Sequence, residues 1–565
     1  MAPRRLLPWI ACAVATAMAC GGAAEDSQAT VAPGPDAQAP NVDAGSAAAD
    51  AIEAPRTDYL VVASKPLAAA AERFADYRRK QGHVAVVTSV DTVISGATTG
   101  TEAAKRIKDH IATQYAGRDP SKPFSVLLLG DAAATPALDG SELPADSYVE
   151  PSDQSTVVTD NTYADVDGDH IPDLALGRIP VSTEAEADLV LAKIVSYESV
   201  HEVGPWTSRF NVFASTGGFG DFADGQIESL VFDVLEEIPY DYEVTMTYAK
   251  QSSPYVFVPE KFSDKVYERM NEGSLMMAYL GHGNEQGFAS LAWNGTAFPI
   301  LDTSQLEAKI DVTHRAPLLT LIACLTGKFT AGKSVSEQIL ATKTGPVGIL
   351  SSTEVSHPYA NAIFVRELAY ALTVSRRKTV GELFVDAKRR MIDNKDAMRT
   401  KIDGLAGVLL LPAQREALRR SHLYMYELFG DPLLAIAYPQ GQAKVTLGAK
   451  SATAGAEITI SSSTLAGNPS GQARITLETR RSVLAGAITP VPADGDTTRD
   501  AVITANYARA NDHTVAEKTT AYAGPTLSTT LTIPSTLAAG EYVVRVRLDD
   551  GKQDAVGSAK ITITP

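Results

Sequence analysis

Short apolar runs alternate with amphipathic stretches between Thr57 and about Pro439. The apolar runs are bounded by turn residues, which is typical of buried strands. They are DYLVVAS (58–64), HVAVVTS (83–89), FSVLLLGD (124–131), RFNVFAS (209–215), SLMMAYLGHG (274–283), LLTLIAC (318–324) and GPVGILSS (345–352). Helical spacing lies between them, over 67–81, 101–115, 184–202, 226–235 and 335–342. The pattern predicts an α/β domain with a mostly parallel sheet over residues 57–440.

From Gly441 the pattern changes to short runs of alternating Thr, Ser, Val and Ala. They are AKVTLGAK, AEITISSS, ARITLETR, STTLTIPS, GEYVVRVRLDD and AKITITP, with Gly, Pro and Asn turns between them. Such spacing predicts an immunoglobulin-like β-sandwich over residues 441–565. This region contains no cysteine and no grouping of histidine with carboxylates. We therefore assign it no catalytic role.

The first twenty residues, MAPRRLLPWIACAVATAMAC, have the form of an export signal. Their apolar run is shorter than the roughly twenty residues that span a bilayer. The small residues before Cys20 resemble a bacterial lipoprotein cleavage box, so residues 1–20 are predicted to be a signal peptide and Cys20 to carry lipid. Ordinary signal cleavage with free release is the alternative. Residues 21–56 hold almost no large apolar residues and are predicted to be a disordered tether.

Charge and cysteine content narrow the range of possible partners and of reactive groups. The formal net charge of -17 argues against a nucleic-acid partner, because phosphate binding needs a basic face. We expect an exported cell-envelope lipoprotein, held at the membrane by its lipid anchor only. The cysteines are Cys12, Cys20 and Cys324, so Cys324 alone remains in the folded chain. An unpaired thiol in an exported protein is either a buried apolar group or a reactive one.

Two predicted strands end in residues that can carry chemistry, namely His282 and Cys324. Ligands of parallel sheets collect at the carboxyl ends of the strands. A thiolate is a good nucleophile, and an imidazole can take and return a proton near neutral pH. The N–H groups of Gly283 and Cys324 are candidates to face a developing oxyanion, where one donor contributes about 3 kcal/mol.

Four separated motifs follow one another along the chain: DNTYADVDGDHIPDLALGRIPV (160–181), AYLGHGNEQGF (278–288), LTLIACLTGKF (319–329) and LYMYELFGDPLL (423–434). In this order they resemble the motifs of the gingipain family of caspase-like cysteine peptidases. The resemblance implies a caspase-like fold and a cysteine endopeptidase acting on proteins or peptides, with no cofactor required for the chemistry. It makes Cys324 the nucleophile, His282 the general base and acid, and Gly283 with Cys324 the oxyanion donors.

The resemblance also implies a substrate-binding role for Asp224, which stands where arginine-specific gingipains place the carboxylate that binds the substrate's cation. A helix-capping role is the alternative. Two departures from the family concern the site itself. No carboxylate stands near Ser215 or Thr216, where the residue that assists the histidine is expected, and the aromatic lid of the arginine pocket is replaced near His357 and Pro358.

An acidic stretch supplies a candidate metal site. Asp165, Asp167, Asp169 and Asp173 have the alternating spacing of oxygen ligands in a calcium loop, although the order is not that of an EF-hand. Because gingipains bind calcium, the resemblance favours a structural calcium ion here. A solvated acidic turn is the alternative.

Two other functions fit parts of the sequence. A gingipain-like sortase would pass the acyl group from Cys324 to an amine instead of water. A non-catalytic surface adhesion module would use the C-terminal sandwich to bind a partner, and the Cys324 and His282 pair argues against that reading.

Overall fold

A computed structural model describes residues 56–133, 135–139, 158–330, 332–467 and 469–565. The predicted signal peptide, Cys20 and nearly all of the predicted tether lie outside the described residues. Within the described part, every helix is too short or too polar to cross a bilayer.

A ten-stranded sheet forms the centre of the N-terminal region. Its strands are β1 (Tyr59–Ala63), β2 (Ala85–Ser89), β3 (Ser125–Leu129), β4 (Ala175–Ile179), β5 (Arg209–Ser215), β6 (Glu243–Ala249), β7 (Met276–Leu280), β8 (Leu318–Ile322), β9 (Gly348–Ser352) and β10 (Tyr426–Gly430). Their order across the sheet is β2-β1-β3-β4-β10-β9-β8-β7-β5-β6. Neighbouring strands are parallel except β9 and β10, so two parallel blocks meet at one antiparallel junction. The predicted mostly parallel α/β fold is confirmed.

Helices cover both faces of this sheet. They are α1 (Ala68–Lys80), α2 (Gly100–Ala116), α3 (Glu184–Ser199), α4 (Asp221–Glu237), α5 (Phe262–Asn271), α6 (Val335–Leu340), α7 (Pro358–Thr373), α8 (Val380–Asp393), α9 (Ala397–Ala406) and α10 (Pro412–Met425). Val61 and Val62, adjacent on β1, belong to different apolar cores. A strand with both faces buried has few polar positions, which explains its continuous apolar sequence.

Three strands of the sheet, β4, β6 and β10, are absent from the sequence-based prediction. The pattern of β4 is interrupted by Arg178, which is nonetheless buried, because its guanidinium donates to both carboxylate oxygens of Asp160, at 2.6 and 2.7 Å. In β6, Thr245 and Thr247 are buried in the same way, with hydroxyl bonds to Asn211 and Tyr507. Long-range hydrogen bonds therefore allow polar residues into these strands.

The C-terminal region contains two layers of strands, which are antiparallel except that Gly441–Gln442 and Ser451–Thr453 each pair in parallel with Asp554–Thr564. One layer contains Gly441–Gln442, Ser451–Thr453, Ser470–Thr479, Thr514–Ala523, Gly540–Asp549 and Asp554–Thr564, and the other contains Val445–Leu447, Glu457–Ser463 and Thr526–Thr532. Ile460 and Leu531 of the smaller layer share one core with Leu477 and Val544 of the larger. The layers thus form a sandwich, while its immunoglobulin-like character stays a prediction.

An insertion, residues 480–513, connects the strands Ser470–Thr479 and Thr514–Ala523 and packs against the N-terminal region. Its helix α11 (Arg499–Ala510) buries Ile503 and Tyr507 in the core of the large sheet. Arg481 is buried and donates to four backbone carbonyls, those of Leu235, Ile238, Pro239 and Tyr242. Residues beyond the predicted boundary at residue 440 therefore complete the core of the region before it.

Candidate active site

The two predicted catalytic residues follow neighbouring parallel strands. Leu280 of β7 is paired with Ile322 of β8, and His282 and Cys324 each lie two residues beyond that pair. The sheet register thus brings them to the same edge. Gly283 lies against the cysteine turn, since a Cβ built on it would lie 2.8 Å from Thr326 Cγ2 and 3.2 Å from the Cys324 carbonyl oxygen. A side chain at position 283 would push these two strand ends apart.

The imidazole of His282 is held by a backbone carbonyl. Its Nε2 lies 2.6 Å from the carbonyl oxygen of Gly217. A carbonyl can only accept, so Nε2 carries the proton and Nδ1 is the basic nitrogen. The backbone of His282 is fixed as well, because its N–H donates to Ser215 Oγ at 3.2 Å and its carbonyl accepts from Tyr279 at 2.7 Å.

Gly217 stands next to the positions where the family resemblance leads one to expect an assisting carboxylate. The sequence reasoning missed it, because a backbone acceptor has no residue type of its own. The available signal is the glycine-rich turn Gly217-Gly218-Phe219-Gly220 directly after β5, in which Gly218 has φ of 68° and Gly220 has φ of 97°. Phe219 packs beside the imidazole, with ring centroids 5.8 Å apart.

Cys324 is half-buried at the start of a sharp turn. The next residue, Leu325, has φ of 61°, a conformation that is uncommon for a residue with a side chain and marks a locally constrained backbone. Its N–H donates to the Glu354 carbonyl at 3.2 Å. The Cys324 thiol lies 3.7 Å from the carbonyl oxygen and 3.9 Å from the hydroxyl of Ser356, so the loop after β9 forms one wall around the sulfur.

Two histidines lie behind that wall. The His357 N–H donates to His422 Nε2 at 2.9 Å, and His422 Nδ1 donates to the Leu418 carbonyl at 2.7 Å. Burial lowers the pKa of His422 to about 3 and the pKa of His357 to about 4. Both rings are therefore neutral supports at neutral pH. His357 also caps α7, where the family resemblance leads one to expect an aromatic lid.

Asp224, predicted to bind substrate, lies in the first turns of α4 beside the histidine. Its Oδ2 accepts from the Gly218 N–H and its Oδ1 from the Phe219 N–H, both at 3.1 Å. The carboxylate thus faces the same turn that holds His282.

Comparison with known proteins places this arrangement in a family. Residues 52–437 match the sequence profile of Peptidase family C25. The chain belongs to Peptidase family C25. It is similar to Lys-gingipain W83 of Porphyromonas gingivalis, with 24% identity over 277 residues, which are 48% of this chain and 14% of that protein. It thus spans a small part of that relative's length.

Among solved structures, the chain is similar to the Arg-specific cysteine proteinase gingipain R (RgpB). The TM-score is 0.50 at 17% identity, with 91% of this chain and 99% of that chain covered. A likeness at this identity shows the fold. The family resemblance drawn from the four motifs is confirmed.

Three of the four predicted calcium ligands lie close together. Carboxylate oxygens of Asp165, Asp167 and Asp173 all lie within 4.8 Å of one another, and Asp169 is not in this group. Asp165 is buried, which raises its pKa, and its two oxygens accept from the N–H groups of Gly168 and His170. Backbone N–H groups of the loop thus hold the Asp165 carboxylate in place beside the carboxylates of Asp167 and Asp173.

Proposed function

We propose that the chain is an exported endopeptidase in which Cys324 attacks the scissile carbonyl and His282 moves the proton. The observation that carries this proposal is the pairing of β7 with β8, together with the bond from His282 Nε2 to Gly217. That bond leaves Nδ1 free to accept the thiol proton. A nucleophile and a base fixed on two rigid strands meet the positional demand of acyl transfer.

The reaction then runs through two acyl-transfer steps. The thiolate of Cys324 adds to the carbonyl carbon, the N–H groups of Gly283 and Cys324 receive the oxyanion, and the imidazolium of His282 returns its proton to the leaving amine. A water molecule, deprotonated by His282, next attacks the thioester and releases the acid. Each oxyanion donor contributes about 3 kcal/mol to the transition state.

We further propose a preference for a basic residue before the scissile bond. The negative charge of Asp224 beside the histidine turn supports it, because each carboxylate oxygen keeps a lone pair after accepting one N–H. A guanidinium would gain a charge-assisted pair, whereas an ammonium cannot make the bidentate contact. We expect Arg to be favoured over Lys, and Lys over neutral residues, in a peptide-library profile. A profile with no basic preference would refute this specificity.

Three further proposals concern the rest of the chain. Residues 165–173 hold a structural calcium ion through Asp165, Asp167 and Asp173, whose oxygen atoms suit a hard cation. The ion would tie this loop together and take no part in the chemistry. The C-terminal sandwich is immunoglobulin-like, and Cys20 carries the lipid anchor.

Two variants test the catalytic proposal. Cys324→Ala should abolish hydrolysis of a fluorogenic peptide library, and His282→Ala should come close to doing so, because nucleophile and base act as a unit. Hydrolysis that persists in Cys324→Ala would overturn the proposal. Mass spectrometry with an added amine separates the sortase alternative, which would join the amine to the acyl fragment. An adhesion module would leave the library intact in the parent protein.

A further inference from the structure

One peptide group lies between the catalytic histidine and a carboxylate. Its carbonyl, from Gly217, accepts from His282 Nε2 at 2.6 Å, and its N–H, from Gly218, donates to Asp224 Oδ2 at 3.1 Å. These are the two polar ends of a single planar unit. His282, the peptide and Asp224 therefore form a continuous chain of hydrogen bonds.

The glycines of the turn 217–220 allow Asp224 to approach this peptide closely. Asp224 pins two consecutive N–H groups, because its Oδ1 accepts from Phe219 while its Oδ2 accepts from Gly218. A Cβ built on Gly217 would lie 2.6 Å from Asp224 Oδ1 and 2.8 Å from the Phe219 ring, so the carboxylate can approach only a glycine. Gly218 has φ of 68°, which a side chain would strain.

The electrostatic consequence follows from hydrogen-bond cooperativity. A carboxylate that accepts from a peptide N–H polarises the group and strengthens its carbonyl as an acceptor. The negative charge also favours the protonated imidazole beyond it. No carboxylate stands at Ser215 or Thr216 to do this directly.

We propose that Asp224 is a positioning residue for catalysis, which orients His282 and stabilises its protonated form through the Gly217–Gly218 peptide. This inference rests on the proposed reaction of Cys324 and His282. It assigns Asp224 a role in the hydrolysis of every substrate, in addition to any contact with a basic side chain.

The test compares Asp224→Asn with a matched control on the same helix. Asp233→Asn removes a carboxylate that pairs with Lys401 at 2.6 Å and does not contact the histidine turn. Asp224→Asn should lower kcat/KM about tenfold for neutral substrates, mostly through kcat, because about 1.4 kcal/mol of transition-state stabilisation is lost. Arg substrates should lose more, because they also lose the proposed contact with the carboxylate. Asp233→Asn should match the parent.

A second readout reports on the histidine itself. Without the relayed charge, the imidazolium loses its proton more easily, so the limb of the kcat/KM profile that reports the His282 proton should move to lower pH by about half a unit to one unit. The pH profile of Cys324 alkylation by iodoacetamide should shift in the same direction. Because alkylation needs no peptide hydrolysis, it tests the relay even if the proposed activity fails.

Each other outcome contradicts the proposal. A loss confined to Arg and Lys substrates would mean that Asp224 acts on the substrate only. A uniform loss with a lower unfolding temperature and unshifted pH profiles would mean that the residue only stabilises the fold. Unchanged kinetics and alkylation would show that the peptide does not couple the two side chains.

Discussion

Acid should destabilise the fold through His422. Its side chain is 1% exposed, its Nε2 accepts the His357 N–H, and its Nδ1 donates to Leu418. A proton on Nε2 would place two donors face to face in a buried site. The folded protein therefore keeps this ring neutral, and burial lowers its pKa to about 3.

The sign and size of the effect follow from linkage. An unfolded histidine has a pKa of about 6.5, so below that pH the unfolded chain binds a proton that the folded protein does not. The stability that His422 contributes is present above pH 6.5 and falls as the pH drops toward 3. Between pH 6.5 and 4.5 the loss is about 2.3 kcal/mol, because the slope reaches its full 1.36 kcal/mol for each pH unit only below pH 6.5.

Urea unfolding of Cys324→Ala, with and without His422→Gln, measures this loss without self-digestion. Glutamine stays neutral and keeps an oxygen for the His357 N–H. Between pH 7 and 4.5 the His422 protein should lose about 2 to 3 kcal/mol more than the glutamine variant. Between pH 7 and 8.5 the difference between the two proteins should stay constant. Equal losses on acidification would refute the assignment of the linked proton to His422.

Two further predictions concern sites away from the nucleophile. Arg481→Met should lower the free energy of unfolding by about 3 to 5 kcal/mol, because four buried carbonyls lose their donor. The exposed neighbour serves as the control, and Arg480→Met should change the free energy of unfolding by less than about 1 kcal/mol. Similar losses in both variants would contradict this reasoning. Chelation by EDTA should lower the unfolding temperature and calcium should restore it, and Asp173→Asn should remove that response; a parent protein indifferent to both would contradict the calcium proposal.

The sequence predicts where His282 and Cys324 lie in the fold because its signal there is local. His282 and Cys324 each follow an apolar run by a fixed number of residues, and parallel pairing then brings the ends together. The partners of these residues are not local. Ser356 lies 32 residues beyond Cys324 and reaches the sulfur through the loop after β9. Gly217 acts through its carbonyl, which every residue possesses.

The missed elements have a similar cause. The helix Arg499–Ala510 buries Tyr507 against the large sheet, where its hydroxyl contacts Thr247 of β6 and Arg269 of α5. An amphipathic pattern predicts that a helix has a buried face, but not which surface covers it. The buried Thr247 of β6 depends on that same contact with Tyr507, so the burial of this strand position and of the helix cannot be inferred separately.

The insertion, residues 480–513, also covers one edge of the ten-stranded sheet. Strand β6 is an edge strand, and the side chain of Asn511 closes it by accepting from the Met246 N–H at 2.6 Å and donating to the Met246 carbonyl at 3.0 Å. The amide thus fills the two backbone hydrogen bonds of Met246 that a neighbouring strand would otherwise make, and it blocks pairing with another chain at this position. Strand β6 pairs with β5, which leads directly into the turn that holds His282. The C-terminal region therefore helps to fix the strands that lead to His282, the proposed catalytic histidine.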